Sequence, residues 1–410
     1  MIYLDHAAAT PVSKKVFEAS RSYFSDEFFN PSSSYLPAKK VAHDYENAKS
    51  VIARAIGAKG SDIVITAGAT EANNLAFTAL ADNGSAGAAC PSDTLRAAQA
   101  KSSRSAEHIA PALPLSSVLY LVTEHDSVRN VAKQYGGHEI KVLQSGLIDL
   151  EDLRAKITDE TELISVSLAN NEIGVIQPMA EIGAIVREIR MDRLKRGIKT
   201  QLLLHSDASQ ALNLIDINVA RLGVDLLTLN AAKIYGPKGV GALYVSHEAK
   251  LSPLTVGGGQ ENGLRSGTEN VPGVIGFATA VSEAKEHLNG NRKKYAEFKK
   301  LFLENLQGYE LPVKKHTLDN FVVLCYNGID AERLVFLLEE KGVYVATGAA
   351  CAASKGVRSH VLAAIGLSDA EIAGSLRITF GETNTREQIL EAAQIINEVV
   401  QAERERTSDE

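Results

Sequence analysis

A lysine, a carboxylate and a thiol are the residues that could do chemistry in this chain. Lys233 precedes the turn-forming run Tyr-Gly-Pro-Lys-Gly at 235–239, and Asp207 lies one strand-like segment upstream. A lysine amine condenses with an aldehyde, and a buried carboxylate keeps a pyridinium nitrogen protonated; pyridoxal phosphate (PLP) chemistry needs both groups. Cys351 lies among alanines and a glycine at 346–354, where steric cover is low. An electron sink combined with a reactive thiol indicates sulfur removal from an amino acid.

Short apolar segments typical of buried strands alternate with helical patterns over 60–250. The segments are 117–122, 163–168, 201–204, 225–229 and 241–245. This alternation predicts an α/β fold on a largely parallel sheet, whose ligands bind beyond the carboxyl ends of the strands. We therefore expect one crevice to hold the polar residues that follow the segments, which are His125, Asn171, Asp207 and Lys233. A helix is also predicted over 41–56, where apolar residues recur on one face.

The sequence after the three glycines at 257–259 favours helices. They are predicted over 272–288, 294–306, 330–341 and 385–403, with strands over 320–326 and 376–380. Thr385 and Gln388 form a capping-box pattern at the start of the last helix. This part of the chain therefore predicts a smaller α+β domain.

The segment 81–116 differs from its surroundings in composition. Alanine, serine, glycine and proline crowd it, which is typical of a surface insertion. A tolerated loop is favoured over a regulatory or partner-binding role. Cys90 falls within this segment and is predicted to have no role.

Composition limits the classes of function. The chain has 410 residues, enough for two to three domains, with 45% hydrophobic and 23% charged residues and a net charge of −7. This balance is that of a soluble globular protein and argues against direct nucleic-acid binding. The three cysteines lack the spacing of a disulfide framework or a metal site, so we expect no metal and a reducing cytoplasm. The N-terminus has no secretory signal and no apolar run reaches membrane-spanning length; an organelle matrix is the alternative compartment if a leader was removed.

Several candidate residues have a structural interpretation beside the functional one. Small residues at 66–71 precede a predicted helix over 72–80, and Thr70 adds a hydroxyl, so this run suits a cofactor phosphate as well as an ordinary strand–helix turn. His125 fits either a ring-stacking, proton-exchanging imidazole or a structural histidine. Asn171 fits either a donor to a ring oxygen or a turn residue.

Structural and functional interpretations also compete for Arg377, Cys325 and Cys351. Arg377 lies in an apolar strand at 375–380, where its guanidinium needs a bidentate acceptor; a substrate carboxylate and a structural salt bridge are equal alternatives. Cys325, inside an apolar run at 321–326, is typical of a small buried hydrophobic residue. Cys351 does not fit that description, which favours a catalytic thiol.

In their order along the chain these segments resemble one known family, the NifS/IscS-like cysteine desulfurases within the class V aminotransferases of PLP fold type I. The resemblance covers nearly the whole chain except 81–116. The matching segments are 3–11, 30–33, 68–75, 123–125, 170–174, 205–210, 233–239, 257–261, 265–268 and the Cys351 segment.

The resemblance implies a fold and a cofactor site. A large α/β domain with a mostly parallel seven-stranded sheet would span 15–258, and a small α+β domain would comprise 1–14 and 259–410. Lys233 would be the covalent attachment point of PLP, and Asp207 would pair with the pyridine nitrogen. The implied cofactor-binding residues are Ala69, Thr70, His125, Asn171, Asp207, Gln210, Asn230, Lys233 and, from the neighbouring subunit, Thr268.

The resemblance also implies a reaction and partners. Arg377 and Asn171 would bind the carboxylate end of L-cysteine, and His125 would move protons. Cys351 would take the sulfur as a persulfide and leave L-alanine. The sulfur would pass to an Fe–S scaffold or to a tRNA-thiolation partner. The position of Thr268 implies a homodimer.

The chain departs from the family just before the lysine. Relatives carry Ser-x-His-Lys, whereas this chain has Asn230 and Ala232 in place of the serine and the histidine. An alanine cannot replace an imidazole near the phosphate, so weaker PLP retention is predicted. Two alternatives to a desulfurase therefore stay open: selenocysteine lyase or another class V PLP lyase or aminotransferase, and a degenerate homologue without catalysis.

Overall fold

A seven-stranded sheet forms the centre of the computed structural model, which describes residues 1–82, 117–348 and 358–408. In chain order the strands of this sheet are β2 (Ile63–Thr66), β3 (Val118–Leu121), β4 (His138–Ile140), β5 (Leu163–Ser165), β6 (Leu203–Asp207), β7 (Leu226–Asn230) and β8 (Gly241–Val245). Their spatial order is β2-β8-β7-β6-β5-β3-β4. β8 is antiparallel to both neighbours, and the other pairs are parallel, so the predicted mostly parallel α/β sheet is confirmed.

Helices precede and separate the strands of the sheet. They are Lys14–Arg21, Leu36–Ala55, Ala69–Phe77, Asp126–Gln134, Leu150–Lys156, Met179–Arg196 and Val219–Leu222. The helix predicted over 41–56 begins earlier, at Leu36, because proline is tolerated in the first turn of a helix and Pro37 occupies that turn. Its apolar face, which includes Val41 and Ile52, is fully buried.

The second half of the described chain forms two smaller sheets with helices. β1 (Ile2–Tyr3) is parallel to β10 (Val343–Tyr344), and β12 (Ser375–Thr379) lies antiparallel between β11 (Ala346–Thr347) and β9 (Phe321–Cys325). The helices of this part are Val271–Glu304, Ala331–Glu340, His360–Ala364, Asp369–Ala373 and Arg386–Ser408. The division into domains at 15–258 and at 1–14 with 259–410 stays a prediction.

The predicted capping box at the start of the last helix is confirmed. The Gln388 N–H donates to Thr385 Oγ1 at 3.3 Å, and the Thr385 N–H donates to Gln388 Oε1 at 3.2 Å. Almost all of the predicted insertion at 81–116, Cys90 included, lies outside the described residues, and so does Cys351. In the part of the chain that is described, no helix combines the length and the apolar character needed to cross a bilayer.

The prediction of two helices over 272–288 and 294–306 is wrong, because one helix, Val271–Glu304, covers both. Tertiary contacts hold the helix together across the expected break. Asn291 is buried and its amide donates to Glu382 Oε1 at 2.8 Å. Tyr295, one turn later, is also fully buried.

Gly290 gives a test of this continuous helix. A Cβ added there meets no atom within 4 Å, so Gly290→Ala should stabilise the protein by about 0.5–1 kcal/mol through helix propensity. Urea unfolding of the two proteins measures the difference. Gly276→Ala in the same helix is the matched control, because its Cβ would lie 2.6 Å from Pro237 Cγ, and it should destabilise by about 1–3 kcal/mol. Destabilisation by Gly290→Ala would contradict a helix through this position.

Candidate active site

A cavity of about 870 Å³ lies at the carboxyl ends of the central strands. It gathers most of the residues predicted from sequence, namely Ala69, Thr70, His125, Asn171, Asp207, Gln210, Asn230, Lys233 and Arg377. Strands of one direction end at one edge of the sheet, which is why residues far apart in sequence meet there. Thr268 lines a separate, smaller cavity instead.

The start of the helix Ala69–Phe77 faces this cavity. Gly68, just before it, has φ +145°, a conformation that favours glycine, and the helix has no side-chain cap. The first N–H groups of a helix have no partner within the helix, and the helix dipole favours an anion there. Thr70 lies inside the first turn, because the helix begins three residues earlier than the predicted 72–80. This end of the cavity therefore suits a phosphate.

Asp207 ends β6 and is held by two hydrogen bonds. The Ser209 N–H donates to Oδ1, and Asn73 Nδ2 donates to Oδ2, both at 2.8 Å. Asn73 is fully buried and also donates to Ser127 Oγ at 2.8 Å. Ser127 in turn contacts His125 Nδ1 through its N–H and its hydroxyl. Asn73 thus links the Asp207 carboxylate to the His125 imidazole. Asn73 was not predicted as a site residue, although it lies in the family-matching segment 68–75.

The ionisable groups behind Asp207 are neutral near neutral pH. Burial lowers the pKa of His205 to about 4. Burial, and secondarily the charge of Asp207, raises the pKa of Glu124 to about 8. Both side chains are fully buried. Neither group offsets the negative charge of Asp207, so a cationic ring nitrogen in the cavity would be a favourable partner.

Lys233 is directed at the N-terminal segment. Its Nζ donates to the Ala7 carbonyl at 2.8 Å and also to the Ala8 carbonyl. Gln210 Nε2 donates to the same Ala7 carbonyl at 3.0 Å. Asn230 caps the short 3₁₀ turn that ends at Lys233, with its Oδ1 accepting the N–H of residue 232 at 3.2 Å. The lysine amine is therefore presented at the cavity from a fixed turn.

Arg377 is buried in β12 and lines the same cavity. Its Nη2 donates to Asp5 Oδ1 at 2.6 Å, and its Nη1 donates to the Asn171 carbonyl at 2.9 Å. Nε has no hydrogen-bond partner among the described residues. Each Nη carries a second N–H, so a carboxylate entering the cavity is a suitable acceptor for the guanidinium. Asp5 was not predicted as a partner.

Glu261 fixes the turn that precedes Thr268. The Tyr45 hydroxyl donates to Oε1 at 2.5 Å, and Lys49 Nζ donates to Oε2 at 2.9 Å. The Ile65 N–H also donates to Oε2, at 2.8 Å. A buried carboxylate with three donors is well satisfied, so this turn is rigid. Glu261 lies in the family-matching segment 257–261, but its network of hydrogen bonds was not predicted.

These groups fit PLP, whose chemistry needs an amine, a ring-nitrogen partner and a phosphate site. The cavity offers the amine of Lys233, the carboxylate of Asp207 and the exposed N–H groups at the helix start with Thr70. The guanidinium of Arg377, which lines the same cavity, adds a place for a carboxylate. Ala232 offers no polar side-chain group at the position where relatives carry histidine.

Comparison with known proteins gives full-length matches. The model of the aminotransferase class-V family matches residues 2–89 and 104–391. The cysteine desulfurase IscS 1 of Archaeoglobus fulgidus is 35% identical over 98% of this chain and 97% of its own length. The NifS-like protein of Rickettsia africae has a solved structure with a TM-score of 0.80 and 28% identity, covering 98% of this chain and 99% of that one. A structure of SspA in complex with cysteine has a TM-score of 0.74 and 31% identity, covering 93% and 99%.

The buried carboxyl of Glu124 gives a prediction for stability against pH. Its pKa in the folded protein, about 8, lies above its ordinary value of 4.5, so folding favours the protonated form. The stabilisation is present at low pH and is lost as the pH rises through about 8. Glu124→Gln stays neutral, so its urea midpoint should fall less than that of the wild type between about pH 6 and about pH 9. Glu46→Gln, on the exposed face of a helix, is the control; parallel curves for all three proteins would contradict a protonated Glu124.

Proposed function

The chain belongs to the class-V aminotransferase family, and from that premise we propose that it is an L-cysteine desulfurase that binds PLP and yields L-alanine and sulfur. The observation that carries the proposal is the meeting of Lys233, Asp207 and Arg377 in one cavity. An amine, a ring-nitrogen partner and a carboxylate site are the three groups that an amino-acid reaction on PLP requires. The relatives named as cysteine desulfurases match over nearly their whole length, which supports the same assignment.

The cofactor would be held from both ends of the cavity. Lys233 would attach it covalently, Asp207 would keep its ring nitrogen protonated, and the helix start at Ala69 and Thr70 would bind its phosphate. Gln210 and Asn171 would lie near the ring oxygen, and Asn230 would donate from its amide nitrogen. When bound, PLP supplies an electron sink for the negative charge at the α carbon of the substrate.

The substrate would be positioned by its α-carboxylate. Arg377 would bind this group through its guanidinium, with Asn171 alongside. The ring of His125 contacts Ser127 through Nδ1, which supports a role in stacking on the cofactor and in moving a proton. The Lys233 amine would exchange protons from the opposite wall.

Cys351 would complete the reaction, although it lies outside the described residues. Its thiolate would attack the sulfur of L-cysteine, forming a sulfur–sulfur bond while the carbon–sulfur bond breaks. The electron pair of the broken bond stays with the carbon skeleton, which takes a proton and leaves as L-alanine. The persulfide on Cys351 then carries the sulfur to an acceptor.

The assembly and the partners are part of the proposal. Thr268 lines a cavity apart from the main one, which supports a homodimer in which it reaches the phosphate of the neighbouring subunit. The sulfur acceptor would be an Fe–S scaffold or a tRNA-thiolation protein. The cytoplasm is the proposed location, because a reducing compartment keeps the Cys351 thiol free to act as a nucleophile.

A single assay with cysteine variants tests the activity. Purified protein with PLP and L-cysteine should release equal amounts of L-alanine and of sulfide in the presence of a thiol. Cys351→Ala should lower both by roughly a hundredfold or more, because the nucleophile is lost. Cys90→Ala, a second cysteine in a segment that carries no predicted role, should leave both unchanged. Turnover that survives Cys351→Ala would instead identify a lyase, and PLP binding by wild type without L-alanine would identify a non-catalytic homologue.

The alanine at position 232 predicts weak PLP retention, and Ala232→His tests it. An imidazole beside the phosphate adds a charge-assisted hydrogen bond, so PLP affinity should rise by roughly tenfold. Absorbance titration of the apo-protein measures the affinity. Asn230→Ser is the control: it should give little gain, because the asparagine already caps the turn. If Ala232→His binds PLP no more tightly than the wild type does, the prediction is contradicted.

A further inference from the structure

One buried hydrogen bond joins a turn that lines the cavity through Asn171 to a neighbouring helix. Glu172 directly follows Asn171, and its Oε2 accepts the Ser359 hydroxyl at 2.5 Å. Glu172 is 8% exposed and Ser359 is 1% exposed, so water does not replace the contact. The bond connects the turn at 170–174, which follows β5, to the start of the helix His360–Ala364.

The Ser359 hydroxyl has two separate tasks. It caps the helix by accepting the N–H of Leu362 at 3.0 Å, and its one O–H donor goes to Glu172. Capping needs only the acceptor. The donor therefore serves the contact with Glu172 and not the helix.

The turn that carries Glu172 is internally rigid. Asn170 Oδ1 accepts the N–H groups of Glu172 and Ile173 at 2.8 and 2.9 Å, and Asn170 Nδ2 donates to the Thr123 carbonyl at 2.8 Å. Ile173 packs in an apolar cluster with Val361 and its neighbours. Because these bonds tie Glu172 to its own turn, a change in its contact with Ser359 reaches the neighbouring residue Asn171.

The same turn orients the guanidinium. The Asn171 carbonyl accepts from Arg377 Nη1 at 2.9 Å, while Asp5 holds Nη2. Two fixed acceptors define the plane of the guanidinium and so the direction of the donors that it offers to a carboxylate. A shift of the turn would rotate that plane.

We propose that Glu172 and Ser359 are positioning residues for the substrate α-carboxylate, acting through the Asn171 carbonyl on Arg377. This inference rests on the proposed function, because it presumes that Arg377 binds that carboxylate. Neither residue touches substrate or cofactor. Loss of their bond should therefore weaken binding of the carboxylate and leave the lysine and phosphate sites intact.

A pair of small ligands isolates the carboxylate. L-Alanine and ethylamine differ by that group, and absorbance changes of the PLP-loaded protein report the binding of each. Ser359→Ala should weaken L-alanine by roughly tenfold and leave ethylamine within about twofold, because a buried polar contact to the carboxylate site is lost. The KM for L-cysteine should rise by a similar factor with kcat nearly unchanged. PLP affinity of the apo-protein should not change.

Matched variants separate this role from helix capping. Ser368→Ala removes the same kind of cap from the next helix, Asp369–Ala373, without a contact to the cavity, and should leave L-alanine binding unchanged. Ser359→Thr keeps the hydroxyl and should restore binding. Glu172→Leu removes the acceptor and should reproduce the selective loss, which keeps the test valid if Ser359→Ala does not fold.

The outcomes distinguish this inference from the proposed function. Equal weakening of L-alanine and ethylamine by Ser359→Ala, or an effect no larger than that of Ser368→Ala, would overturn the positioning role. A wild-type protein that binds no PLP, or forms no L-alanine from L-cysteine, would overturn the proposed function first.

Discussion

The ion pair between Arg377 and Asp5 is the contact on which the arrangement of the site depends. The Arg377 side chain is 3% exposed, and a guanidinium so deeply buried is tolerated only when it is paired and hydrogen-bonded. Asp5 bridges to Thr379 on β12, so the pair fixes the N-terminal segment beside that strand. The carbonyl groups of residues 7–8 then receive the Lys233 amine. One segment thus fixes the distance between the guanidinium and the lysine.

Charged groups of both signs line the cavity, and the Arg377 guanidinium is paired there with Asp5. The anionic carboxylate of Asp207 lies at one strand end, backed by neutral His205 and Glu124. The cationic guanidinium of Arg377 lies across the cavity, and the positive end of the helix at Ala69 lies at a third position. A ligand with a cationic ring and a phosphate, joined to an amino acid with a free carboxylate, has a suitable partner for each group: Asp207 for the ring, the helix start for the phosphate and Arg377 for the carboxylate.

The sequence predicted what depends on local pattern. Apolar runs predicted β3, β5, β7 and β8, and the rule that ligands bind at strand ends brought Asp207, Lys233 and His125 into one cavity. β2 and β4 were not predicted: β2 has four residues, and the three of β4 include two polar ones, His138 and Glu139, so their patterns are weak. The helix Val271–Glu304 was divided because its continuity comes from tertiary contacts.

The positioning contacts were missed for a different reason. Asp5 meets Arg377 across 372 positions, and Ser359 meets Glu172 across 187. No periodicity links residues so far apart, and each is an ordinary polar residue until its partner is known. Asn73 could have been found, since it lies one helical turn after Thr70 in a segment already singled out. What sequence alone cannot supply is the choice of partners among many polar residues.

Asn230 and Ala232, the two residues before Lys233 that differ from the Ser-x-His-Lys pattern, have different consequences. Asn230 keeps a structural task, because its Oδ1 caps the 3₁₀ turn that presents the lysine, as a serine oxygen would. Ala232 keeps none, since a methyl group neither donates nor accepts. The exchange at 230 therefore preserves the geometry of the lysine, while the exchange at 232 removes a donor from the phosphate end of the cavity. Under the proposed function, the phosphate would be held chiefly by the N–H groups at the start of the helix Ala69–Phe77 and by the Thr70 hydroxyl, which a substitution at 232 does not remove.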